Sequence, residues 1–213
     1  MSLFSWFVVI GLSILTWRAV RRLFLPPAEA GPESELYLEQ GGVEALPEEY
    51  VQPLGDACVD ITRASLDALS ELEVAEKALA APDGTSQQEA PVHLERAFVM
   101  MREAAEHAAG LSADLQAPPE EVGWWLGHVV EQCEAVCALD ETAEALHEAP
   151  ANAVHRAAVG QGIEATENLL LGAHDFAERM LDFDLRGWVQ EEIGRDVAKR
   201  FQRGIEAAVR RVQ

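Results

Sequence analysis

From about residue 54 to the end of the chain, apolar residues recur at steps of three and four. The run is cut at intervals by proline, glycine or short polar stretches. This period matches the 3.6-residue turn of an α-helix and not the two-residue alternation of a half-buried strand. The first stripe, over about 54–80, is Ala57, Ile61, Ala64, Ala68, Leu72, Ala75 and Leu79, and "APDGTSQQEAP" ends it. A second, over about 92–115, runs from Leu94 through Phe98, Met101 and Ala108 to Leu115. The third occupies about 120–148, with Val122, Leu126, Val129, Cys133, Val136, Ala143 and Leu146. The fourth, about 153–181, carries Val154, Ala158, Ile163, Leu169, Ala173, Phe176 and Met180. Its Gly160, Gly162 and Gly172 weaken the helix and allow either close packing or a bend. A fifth begins near Leu185 and follows Val189, Ile193, Val197, Phe201, Ile205, Ala208 and Val212. Long amphipathic helices joined by short Pro-containing turns predict an all-α domain, an antiparallel bundle of four to five helices. The four-helix bundle is expected over 54–183 and the C-terminal amphipathic helix over 184–213.

The N-terminus has a different character. Leu3 to Trp17 contains no charged residue. As a helix this stretch measures about 22 Å, short of the roughly 30 Å hydrocarbon core of a bilayer. Continuing to Leu25 gives about 34 Å, because Arg18, Arg21 and Arg22 have long stems that reach towards head groups. Trp6 and Trp17 sit near the two ends, where amphipathic rings favour the interface. A cleaved signal peptide would place positive charge before the apolar run. Here the arginines follow it, although Ala28-Glu29-Ala30 has the form of a cleavage site. A soluble core helix would not switch so abruptly from wholly apolar to basic. Residues 1–25 are therefore expected to form a single transmembrane anchor. The arginines hold their side in the cytoplasm, which places Met1 outside and the C-terminal body inside. In a bacterium the location would be the inner membrane. Pro26 and Pro27 then open a linker over 26–53 with five prolines, three glycines and seven glutamates. Repulsion among its carboxylates should keep it extended.

Charge is segregated along the chain. The net charge is −21, made up of +3 over residues 1–22, −26 over 23–183 and +2 over 184–213. A body this acidic repels nucleic acid, so none is expected as a partner. The three cysteines are Cys58, Cys133 and Cys137, and the last two lie one helical turn apart, which suits buried free thiols better than a disulfide.

No motif in the sequence carries catalysis. There is no Gly-x-Ser-x-Gly turn, no phosphate loop after a strand and no Glu-x-x-His pair of the kind that holds two irons in a bundle. His107, His128 and His174 each have a glutamate within a turn, but in so acidic a chain such pairs arise by chance. No enzyme activity, metal or cofactor is expected. The residues singled out are for contact with partners. Trp124 and Trp125 open the third helix and Trp188 opens the fifth. Adjacent residues on a helix differ by about 100°, so one of the Trp124–Trp125 pair should face away from the core. On the fifth helix Arg195, Lys199 and Arg203 repeat every four residues. That basic side is suited to the acidic bundle, to an anionic leaflet beside Arg18, Arg21 and Arg22, or to another protein. The sequence thus leads to a membrane-anchored, non-enzymatic adaptor or scaffold, an accessory subunit that contacts lipid through its N-terminal helix and other proteins through helical surfaces. The alternative is a tethered sensor or cofactor-binding bundle with a ligand in its core.

Overall fold

A computed structural model of the chain describes residues 46–81, 87–115, 118–149 and 151–213. The expected anchor, with Trp6, Trp17, Arg18, Arg21 and Arg22, and the expected linker up to residue 45 lie outside the described residues. Among the described residues all regular structure is helical, and no helix is long and apolar enough to cross a membrane.

Helix α1 spans Glu48–Ala80. It starts six residues before the point at which the apolar stripe begins, and it carries Pro53 inside it. Pro53 was expected to close the linker; as the sixth residue of α1 it forfeits one backbone hydrogen bond and crowds the carbonyl four residues back. Leu46 and Tyr50 pack against the core, and Glu48 and Glu49 oppose the positive end of the helix dipole. These contacts extend the helix back across the proline. Helix α2 spans Ala90–Asp114, with Pro91 in its first turn, where the missing N–H is not needed.

The third expected helix is divided. Helix α3 runs Glu120–Cys137 and α4 runs Leu139–Glu148, with Ala138 between them. The apolar stripe itself skips a turn here, from Val136 to Ala143. Leu139 fills that gap, is buried, and lies where a Cβ on Gly162 would stand. Helix α5 spans Ala153–Met180 and is capped by Asn152, whose side chain accepts from the Val154 N–H at 2.8 Å and the His155 N–H at 3.1 Å. At its far end Asp182 adopts φ 49°, which lets the Phe183 N–H reach back to the Ala177 carbonyl at 3.0 Å.

The last segment was expected as one helix and is three pieces: a short turn α6, Leu185–Trp188, a π-helical turn, Val189–Ile193, and helix α7, Arg195–Val212. Asp184 caps α6 by accepting from the Gly187 N–H at 2.8 Å. Gly194 separates the π turn from α7 with φ 122°, a conformation that L side chains resist.

Cross-helix contacts fix the directions. His93 on α2 meets Glu71 on α1, and further down both helices Asp60 and His107 face the same cleft. Cys58 bonds Ala173 on α5, while Leu72 approaches Gly162. Trp125 on α3 stacks on Phe176, and Gln132 pairs with Asn168. Each pair of neighbours therefore runs antiparallel, in the order α1, α2, α3–α4, α5, with α5 returning to α1. Leu54, Ile61, Leu66, Leu72, Leu94, Met101, Leu126, Val129, Leu169 and Leu170 fill the interior. Alanines between them let the helices approach closely.

Helix α7 lies outside this ring against α5, running antiparallel to it: Gly204 faces Leu170 and Arg211 pairs with Glu167. Phe201, Ile205 and Ala208 are buried, and Gly204 lets α7 come close enough to meet Leu69 of α1 as well.

Candidate functional site

Helix α7 presents two kinds of cation. Arg200 and Arg211 turn inward to the acidic bundle. The Arg200 Nε lies 3.8 Å from Glu73 on α1, and Arg211 reaches Glu167 and Glu164 on α5. Arg195, Lys199 and Arg203 turn outward. They share a face because they are spaced at four residues, while the break at Gly194 brings Arg186 and Gln190 to the same place. The result is an open groove of about 870 Å³ lined also by Asp196, Ala198, Arg200 and Gln202. Lys199 contacts Asp196 at 3.0 Å, an exposed pair of little energetic weight. Among the described residues, no carboxylate comes within ion-pairing distance of Arg186, Arg195 or Arg203. Unpaired arginines side by side are unexpected in a chain with 37 acidic and 16 basic residues.

Trp124, Trp125 and Trp188 are not among the residues that line this groove. Trp124 is 65% exposed, with its ring parallel to His128 at 5.4 Å, and His128 in turn fills the space beside Gly172. Trp125 is buried and stacks on Phe176 at 4.0 Å. Its indole N–H has no hydrogen-bond partner among the described residues. Trp188 is half-buried, with the Arg63 guanidinium 5.7 Å from the ring centre. Of the aromatic residues expected to contact partners, Trp124 alone offers a broadly exposed ring, while Trp125 acts as core. Sequence reasoning did not reach Arg186 and Gln190, whose position depends on the backbone break. The one signal was Gly194 within an otherwise regular stripe.

The remaining chemistry-bearing groups serve the packing. Cys58, Cys133 and Cys137 are free thiols. Cys58 donates to the Ala173 carbonyl at 3.3 Å, and burial pushes its pKa up to about 12. Burial, with smaller contributions from Cys137 and Glu134, does the same to Cys133, also to about 12. Cys137 is raised mainly by burial. Thiols so placed stay protonated near neutrality and make poor nucleophiles. His93 bonds Glu71 across α2 and α1, and His147 bonds Glu95 across α4 and α2 at 3.1 Å. Among the described residues, no three His, Cys, Asp or Glu side chains gather as metal ligands would. A second open cleft of about 280 Å³ between α1 and α2 mixes Asp60, Asp67 and Glu103 with Arg63 and His107.

No family model matches the chain, and no curated protein or solved structure matches it significantly.

Proposed function

We propose that the protein is a membrane-tethered, non-enzymatic adaptor. The apolar run Leu3–Leu25 anchors it, and the helical body offers charged and aromatic surfaces to partners at the cytoplasmic face. The observation that carries this reading is the groove. A well-packed, strongly acidic bundle holds Arg186, Arg195 and Arg203 unpaired among the described residues, on a helix fixed by burial of Phe201 and Ile205. Three such arginines are gathered at one groove, open to an anionic or acidic contact. Trp124 is a second, aromatic contact point on α3. Burial keeps the Cys58 and Cys133 thiols protonated near neutrality, which supports a non-enzymatic reading.

Alkaline carbonate extraction of membranes, followed by affinity purification of the full chain from detergent, tests both halves. The chain should stay in the carbonate pellet. Its co-purifying subunit should be lost when Trp124 is changed to alanine. Release by carbonate would remove the tether, and identical recovery from both proteins would remove Trp124 as a contact.

A ligand in the bundle core is the second reading, and one observation favours it. The Thr62 and Ser65 hydroxyls are fully buried on α1 without a hydrogen-bond partner among the described residues. Buried orphan hydroxyls cost about 1–3 kcal/mol each, which a polar ligand would recover. Native mass spectrometry of the full chain should then show a bound small molecule; a bare mass would dismiss it.

A further inference from the structure

We propose that the groove formed by Arg186, Gln190, Arg195, Lys199 and Arg203 receives the phosphate groups of anionic phospholipids. In its choice of phosphate source this rests on the tethered reading above.

The lining favours phosphate by chemistry. Arg186, Arg195 and Arg203 are exposed guanidinium forks, which match phosphate oxygens two at a time. Gln190 adds a neutral amide donor. The only carboxylate in the lining, Asp196, is itself nearly bare to water, and its link to Lys199 can open at small cost.

The side chains of the lining are nearly all charged or polar. Ala198 is the only apolar side chain among the lining residues. Stable protein contacts draw most of their strength from a few buried aromatic, aliphatic or arginine anchors seated in dry pockets. The groove is open and its cations are exposed, so it binds through charge, and a leaflet presents many phosphates at once.

The fold further restricts how a membrane is met. Phe201, Ile205 and Ala208 are buried, so α7 cannot turn that face into lipid as a free amphipathic helix would. Contact is therefore at the level of the head groups, through fixed cations on a rigid scaffold. Residues 23–183 carry −26 and are repelled by an anionic surface, whereas the groove turns its cations outward.

Arginine-selective modification by phenylglyoxal, read by mass spectrometry, tests the proposal on the full chain in lipid nanodiscs. Discs of phosphatidylcholine are compared with discs that also contain phosphatidylglycerol. Arg195 and Arg203 should each react about fivefold more slowly in the anionic discs, the effect expected of roughly one basic-residue contact with a charged leaflet. Added salt should restore the rate. Arg210, exposed on the same helix but outside the groove, is the internal control. Changing Arg186 to glutamate, an exposed substitution, should reduce the protection of its neighbours. Equal slowing of Arg210 would overturn the groove as the site, and unchanged rates would overturn phosphate binding. A third arm adds inorganic tripolyphosphate to neutral discs. Protection there, with none from anionic discs, would overturn the lipid source and assign a soluble phosphate compound. Failure of the tether is read separately: the chain would not travel with neutral discs at all, whereas groove binding would still show as salt-sensitive capture by anionic discs.

Discussion

At the scale of single residues, the deepest constraints lie where burial and chemistry coincide. Phe201 is completely buried, and its ring lies 6.0 Å from that of His174 on α5. Truncation to alanine removes that packing and leaves a cavity, and should cost about 3–5 kcal/mol. Urea unfolding of the full chain in detergent measures it, and an unchanged midpoint would mean that α7 is not held in place. The thiols lead to a pH dependence. Cys58 and Cys133 are raised from 9.0 to about 12. The native state thus keeps protons that the unfolded chain gives up above about 9. Their contribution is fully present below pH 9 and declines as pH rises towards 12, by roughly 1 kcal/mol per thiol per pH unit. Changing both cysteines to alanine should flatten the fall of the urea midpoint between pH 9 and 10, compared with the parent chain. Parallel slopes would show that the thiols do not contribute.

At the scale of elements, the long helices were legible because their apolar stripes recur over many turns. Ile61, Leu72, Met101, Leu126 and Leu169 all stand where period 3.6 puts them, and all are buried. Element ends were harder to read. Pro53 reads as a breaker, yet Leu46 and Tyr50 reward the turn on its far side, a tertiary gain that no local pattern records. The break at Ala138 has neither proline nor glycine to announce it. At Gly194 the four-residue steps from Ile193 to Val197 continue as though nothing happened, because the π turn absorbs the change in register. For the same reason the groove was legible in half. Arg195, Lys199 and Arg203 share a helix, while Arg186 and Gln190 reach them only round a corner. That corner is testable. A Cβ at Gly194 meets no neighbouring atom, so the cost of Gly194→Ala is purely that of φ 122°. It should destabilise the chain by about 1–3 kcal/mol or re-form the turn. In the second case Arg186 moves away from Arg195, and the protection of Arg195 in anionic discs should fall while the urea midpoint holds. A variant that matches the parent in both measurements would show that the glycine is not needed there.

At the scale of the whole molecule, charge is laid out in blocks, and the blocks oppose each other. Residues 23–183, at −26, are driven away from an anionic leaflet. The positive segments lie at the two ends of the chain, +3 over residues 1–22 and +2 over 184–213. If the apolar run crosses the bilayer, Arg18, Arg21 and Arg22 decide which side the body occupies, because basic residues flanking a span are retained in the cytoplasm. The acids further along add little to that choice, since orientation follows Lys and Arg close to the span and not net charge. Reversing the three arginines to glutamate removes the positive flank altogether and places three more acids where snorkelling stems had been. The span then shortens towards Leu3–Trp17, about 22 Å against the roughly 30 Å it must cover. Two effects therefore act together, lost retention and lost length. The expected outcome is a fall in carbonate-resistant protein, with the remaining fraction of mixed orientation. Protease digestion of sealed vesicles that display the cytoplasmic side reads it directly. In the parent chain the acidic body should be digested without detergent, whereas in the variant part of it should become protected. A variant that inserts as fully as the parent, with its body still wholly accessible, would show that these arginines do not orient the chain.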